Sequence, residues 1–110
     1  MGSVSLKRKA KRLVRKTVTR ISLATSVVTK AKARGYTLSH LIRILLEELL
    51  ENPDASLKPK LIGDRIVCIS LPEGILERAK VAAKERDLTL SQLIEALMEK
   101  WLEVTEELYS

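Results

Sequence analysis

Phenylalanine is absent from the 110 residues, and aromatics of every kind make up only 3% of them. Proteins that hold single-stranded nucleic acid stack bases on aromatic side chains, and this composition offers no such platform. There is one cysteine, Cys68, and one histidine, His40. A lone cysteine forms no internal disulfide and suits a reducing compartment. One Cys and one His cannot build a zinc cluster within one chain or a nucleophile–base–acid set, so no metal, cofactor or enzymatic activity is expected. His40 reads as a partly exposed helix residue. The four glycines form no phosphate-cradling loop. Apolar runs fall far short of the ~20 residues of a membrane span. The N-terminus lacks the apolar segment of a secretory signal, and a cytoplasmic protein is expected. Amides are scarce, with only Asn52 and Gln92. Together with abundant Lys, Arg and Glu, that points to a thermophilic source.

Acidic charge is missing from a whole half. Residues 1–46 hold twelve Lys/Arg and no Asp/Glu, whereas residues 47–110 hold eight Lys/Arg and all fourteen acids. The formal net charge of +6 is therefore concentrated at one end. A one-sided basic field is the footprint of a polyanion partner; the plainer alternative is a solubility or localisation tail.

What the chain does have is an internal repetition. Thr37-Leu38-Ser39-His40-Leu41-Ile42 recurs as Thr89-Leu90-Ser91-Gln92-Leu93-Ile94, and Ile21-Ser22-Leu23 recurs as Ile69-Ser70-Leu71. The first landmark recurs after 52 residues and the second after 48. The first copy thus lacks four residues between its landmarks, about one helical turn. Losing one turn keeps helix faces in register, which predicts a helix between the landmarks. Each copy spans roughly 35–40 residues, too few to fold easily alone. The simplest partner for one copy is the other, in a single domain with a small core.

Thr17 to Leu23 alternates, with Thr19, Ile21 and Leu23 on one face and Val18, Arg20 and Ser22 on the other. Arg65 to Leu71 alternates likewise, setting Val67, Ile69 and Leu71 against Ile66, Cys68 and Ser70. Period two with β-branched residues predicts strands. A helix follows each: Val27, Val28 and Ala31 mark the first, and Ile75, Leu76, Ala79, Ala82 and Ala83 the second, with Pro72 and Glu73 in its first turn. Gly35 is a suitable stop for the first; Asp87 takes its place in the second. Thr89 and Gln92 form a capping-box pattern, and Thr37 is expected to cap likewise, with His40 in the Gln position. Leu38, Leu41, Ile42, Leu45, Leu46 and Leu49 form one helical stripe; Leu90, Leu93, Ile94, Leu97, Trp101 and Leu102 form its match. The acids of the last helices are expected on a solvated face. The division predicted is a basic arm over 1–16, a first unit over 17–51, a linker over 52–64 and a second unit over 65–110.

Strand–helix–helix, with Ile-Ser-Leu-Pro-Glu at one boundary and Leu-Thr-x-Ser-x-Leu-Ile at the other, resembles the ribbon-helix-helix family of MetJ, Arc and CopG. The resemblance covers residues 18–50 and 66–102 and is looser in the first copy, which lacks Pro-Glu. It implies a mainly α fold with a short two-stranded antiparallel β-ribbon, the two repeats forming one pseudo-dimeric domain. The chain looks most like tandem regulators from viruses of hyperthermophilic archaea. The implied function is sequence-specific binding of double-stranded DNA and regulation of transcription. The ribbon would lie in the major groove, and further self-association on DNA stays open.

The resemblance maps base reading onto Val18, Arg20, Ser22, Ile66, Cys68 and Ser70. The plainer alternatives are a solvated charge for Arg20 and an oligomer contact for Ile66 and Cys68. Phosphate clamping maps onto the second-helix N-termini, at Thr37, Leu38 and Ser39 and at Thr89, Leu90 and Ser91; the alternative is simple capping. The arm adds Lys7, Arg8, Lys9, Lys11, Arg12, Arg15 and Lys16 as phosphate contacts. Two rival functions remain. An antitoxin of this fold usually adds a toxin-binding tail, for which the eight residues after Leu102 are short. A non-specific architectural protein would suit the basic arm and the apolar second strand.

Overall fold

A computed structural model of the chain describes residues 16–53 and 57–109, with side chains described as far as Glu106. The elements run β1 (Lys16–Leu23), α1 (Thr25–Ala33), α2 (Leu38–Glu51), β2 (Arg65–Pro72), α3 (Glu73–Glu85) and α4 (Leu90–Tyr109). The order strand–helix–helix therefore occurs twice. α1 has nine residues and α3 thirteen, so the four-residue difference between the landmarks falls within the helix, as the spacing predicts. Gly35 at φ 87° and Asp87 at φ 56° occupy equivalent left-handed turns after these helices. Glycine adopts that conformation freely, and Asp is among the few other residues that tolerate it.

β1 and β2 pair with each other as an antiparallel two-stranded ribbon. In its register Val18 faces Ser70, Arg20 faces Cys68 and Ser22 faces Ile66. Cys68 is also the residue 48 positions after Arg20, the offset that relates the Ile-Ser-Leu landmarks. The register is thus symmetric about the Arg20–Cys68 pair, and Val18 and Ile66 are counterparts on either side of it. Burial follows the same rule: residues 17–23 and 65–71 carry the same pattern, position by position.

Alternation sends Ile21, Leu23, Ile69 and Leu71 to the inner face, each at most 2% exposed. A ribbon of two strands has marginal stability without such a face to bury. Beneath it α2 contributes Leu41, Ile42 and Leu46, and α4 contributes Leu93, Ile94 and Met98. Ala31 on α1 and Ala79 on α3 are wholly buried, and side chains this small let these helices approach closely. Two of the three aromatics meet: Tyr36 and Trp101 lie edge to face at 5.1 Å, with the Arg34 guanidinium 5.1 Å from the Trp101 ring. Leu71 has no exposed surface. Leu71→Ala is expected to cost about 2–5 kcal/mol in urea unfolding, from lost transfer energy plus a cavity.

Three expectations need correction. Lys16 is not part of an arm: it is the first residue of β1, paired with Pro72. Thr37 makes no side-chain cap on α2, and His40 lacks the carboxyl or amide oxygen with which Glu or Gln returns the reciprocal bond of a capping box. In contrast, Thr89 and Gln92 form the reciprocal box, with bonds of 2.9 and 3.1 Å. Nor are all acids of the last helix solvated: Glu95 is only 2% exposed.

Candidate nucleic-acid interface

The outer face of the ribbon is built by the residues that alternation turns away from the core. Val18 is 67% exposed and Ile66 71%, while Arg20 and Cys68 are exposed and Ser22 and Ser70 half-buried. Neither strand contains an acid, and Arg20 has no ion-pair partner among the described residues. Both outer-face cations, Lys16 and Arg20, belong to β1. The six sequence-predicted ribbon residues are therefore brought together on one surface, with one guanidinium at its centre and an exposed apolar side chain on each side.

The second-helix N-termini are tied to this ribbon in a crossed manner. The Ser70 N–H donates to Ser39 Oγ at 2.9 Å, and the Ser22 N–H donates to Ser91 Oγ at 3.0 Å. Each strand is thus fastened to the second helix of the other half. The serine of Thr-Leu-Ser has a structural role that its sequence position did not reveal; only its recurrence at the same offset in both copies signalled it. Each hydroxyl, having accepted one bond, keeps its own O–H to donate. The first N–H groups of α2 and α4 lack intrahelical acceptors and carry partial positive charge. At α4 the capping box consumes the Gln92 N–H; at α2 no side chain does so. Leu38 and Leu90 offer only backbone here, since their half-buried side chains pack on the core. Lys7, Arg8, Lys9, Lys11, Arg12 and Arg15 lie outside the described residues.

The two halves differ at one buried point. The Ala24 N–H, at the start of α1, donates to Glu95 Oε1 at 2.7 Å. The counterpart of Ala24, 48 residues on, is Pro72, which has no N–H to satisfy. The counterpart of Glu95, 52 residues back, is Arg43, which instead pairs with Glu47 at 2.9 Å on the surface. Proline in one copy thus removes the need for the carboxyl that the other copy buries.

The linker is more than a spacer. Leu57 is buried in the core. Glu99 on α4 accepts the N–H groups of Lys60 at 2.8 Å and Leu61 at 3.1 Å, and Lys60 Nζ reaches Glu103 at 2.6 Å. That pairing raises the Lys60 ammonium above its usual range. Asp64 Oδ1 accepts from the Thr25 N–H at 2.8 Å and from Thr25 Oγ1 at 3.0 Å, capping α1 from outside and holding the Asp64 carboxyl below its usual range. Residues 57–64 therefore form a pinned strap beside the N-terminus of α4, where Ile62 is 88% exposed. Gly63 packs on β1: a Cβ there would lie 2.6 Å from the Ser22 carbonyl carbon and oxygen. Backbone cannot give way as a side-chain tip can. Gly63→Ala is expected to lower stability by about 1–3 kcal/mol and to speed exchange of the Lys60 and Leu61 amides.

Comparison of the chain with protein-family models, curated proteins and solved structures gives no match. Among the described residues no group of three or more His, Cys, Asp or Glu could hold a metal ion, and no helix is long and apolar enough to cross a membrane.

Proposed function

We propose that this chain is a tandem ribbon-helix-helix protein that binds double-stranded DNA sequence-specifically and regulates transcription from the cytoplasm. The observation that carries this reading is the ribbon's outer face: exposed, free of acids, symmetric in register about Arg20–Cys68, and tied to two helix N-termini by the Ser39 and Ser91 bonds. A two-stranded ribbon fits the major groove of B-DNA, where alternate side chains reach base edges. Arg20 is suited to bidentate bonding of guanine O6 and N7. Ser22 and Ser70 can donate or accept, and Val18 and Ile66 suit thymine methyl groups. The N-termini of α2 and α4 then approach backbone phosphate on either side, and the basic N-terminal residues add sequence-independent attraction.

Methylation protection tests the groove assignment. Guanine N7, in the major groove, should be shielded over one short region, while adenine N3, in the minor groove, stays reactive. Shielding of N3 without N7 would overturn the assignment. A second reading, a non-specific architectural protein, draws on the apolar character of Val18 and Ile66, which pack on DNA without reading polar base edges. It predicts protection without discrete boundaries.

A further inference from the structure

Among the described residues, Glu95 is the charged side chain that the fold buries. It lies within an unbroken buried run, Leu93 to Met98, on α4. Its Oε1 accepts the Ala24 N–H, but its Oε2 has no donor among the described residues. A buried polar atom without a partner is costly. Glu99, one turn further along α4, lies on the same helix face as Glu95, and both of its oxygens already accept strap N–H groups. Two ionised carboxylates have acceptors only and no hydrogen to share. A single proton between them turns the contact into a strong hydrogen bond, gives Oε2 its partner and removes one buried charge. Among the described residues, the other charged groups near Glu95 are on the strap: Asp64, whose carboxylate disfavours a second negative charge, and Lys60, which is engaged by Glu103. From β1 and α1 Glu95 meets the Ala24 N–H, and Ser22 lines the same cleft.

We propose that Glu95 and Glu99 form a single-proton site whose occupancy fastens the 57–64 strap to the body of the protein. With the proton in place, one chain of bonds links Ala24, Glu95, Glu99 and the strap amides of Lys60 and Leu61. Without it, two carboxylates repel across the same contact, and the link from Ala24 through Glu95 to the strap is weakened, while Leu57, Lys60–Glu103 and Asp64–Thr25 still hold the strap. Burial first, and the neighbouring Glu99 next, push the Glu95 carboxyl up to about 7 against the opposing effect of the Ala24 N–H. The folded protein therefore holds this proton more tightly than the unfolded chain does. The stabilisation is fully present below the ordinary Glu range near 4.5 and is lost as pH rises through about 7.

The strap touches Ser22 through Gly63 and borders the N-terminus of α4. Losing the proton would loosen that half of the ribbon face and leave the Thr37–Ser39 side untouched. This consequence rests on the DNA-binding reading; the proton site does not, and its test uses the full chain without DNA. The Glu95 carboxyl carbon is followed by NMR from about pH 3.5 to 8.5, with amide exchange at Ala24, Lys60 and Leu61 corrected for intrinsic base catalysis. Glu95→Gln keeps an acceptor for Ala24 and supplies a permanent N–H donor to Glu99. The wild type should titrate with a midpoint near 7, and protection of the three amides should fall roughly tenfold or more across it. In Glu95→Gln protection should stay level. A midpoint near 4.5, or level protection in the wild type, would overturn the proposal. Should Glu95→Gln not fold, Glu99→Gln decides: removing the like charge should lower the Glu95 midpoint, and an unchanged midpoint would also refute the shared site.

Discussion

Arg20→Ala is expected to remove most of the protein's preference for its binding sequence while leaving the fold intact. Arg20 is exposed at the centre of the ribbon and makes no ion pair among the described residues. Its loss should therefore change stability by no more than about 0.5 kcal/mol. One bidentate arginine–guanine contact is worth about 1–3 kcal/mol of discrimination, or roughly 5- to 150-fold. The effect should be one-sided, because the residue facing Arg20, and its counterpart by register, is Cys68. A cysteine cannot replace the guanidinium's fork of donors. Competition between a selected duplex and a scrambled one measures this directly: the ratio should collapse for Arg20→Ala, while affinity for the scrambled duplex falls only slightly.

Removing residues 1–15 is expected to act in the opposite manner, weakening binding to every sequence by a similar factor. The cut belongs after Arg15 rather than after Lys16, since Lys16 begins β1 and pairs with Pro72. It removes six Lys/Arg and no acid, so the net charge falls from +6 to zero. Each neutralised phosphate contributes about 0.9 to the log–log salt slope, so engagement of all six residues would flatten the slope by roughly 5. At moderate salt the expected loss of affinity is about 10²- to 10³-fold, with the specificity ratio preserved. An unchanged slope would show that these residues do not contact DNA. The two variants thus separate reading from attraction.

Local physics was legible in the residues themselves. Alternation placed Val18, Arg20 and Ser22 opposite Ile21 and Leu23, because strand sidedness is a strict period of two. The missing turn of α1 followed from a spacing difference of one helical repeat, and the left-handed positions of Gly35 and Asp87 from what each residue tolerates. The reading was weaker wherever a partner lies far along the chain. Ser39 and Ser91 bond strands of the opposite half, and no local pattern reports an acceptor 31 or 69 residues from its donor. Glu95 resembled any other helix-surface acid until Ala24 was seen beside it; its one local signal is its place between Leu93-Ile94 and Ala96-Leu97-Met98. The strap read as a spacer because its anchors, Glu99 and Glu103, are on α4. Thr37 shows the reverse error, a local motif carried over although His40 cannot complete it.

Selection of duplexes from a random pool, using the full chain, tests the central claim most directly. The enriched sequences should share a short, imperfect inverted repeat, with guanine at the step facing Arg20 and thymines flanking it within reach of Val18 and Ile66. The enrichment should vanish for Arg20→Ala. A pool that binds tightly yet emerges with no shared sequence, or a wild type and an Arg20→Ala variant that enrich the same site equally, would contradict the claim that this ribbon reads bases.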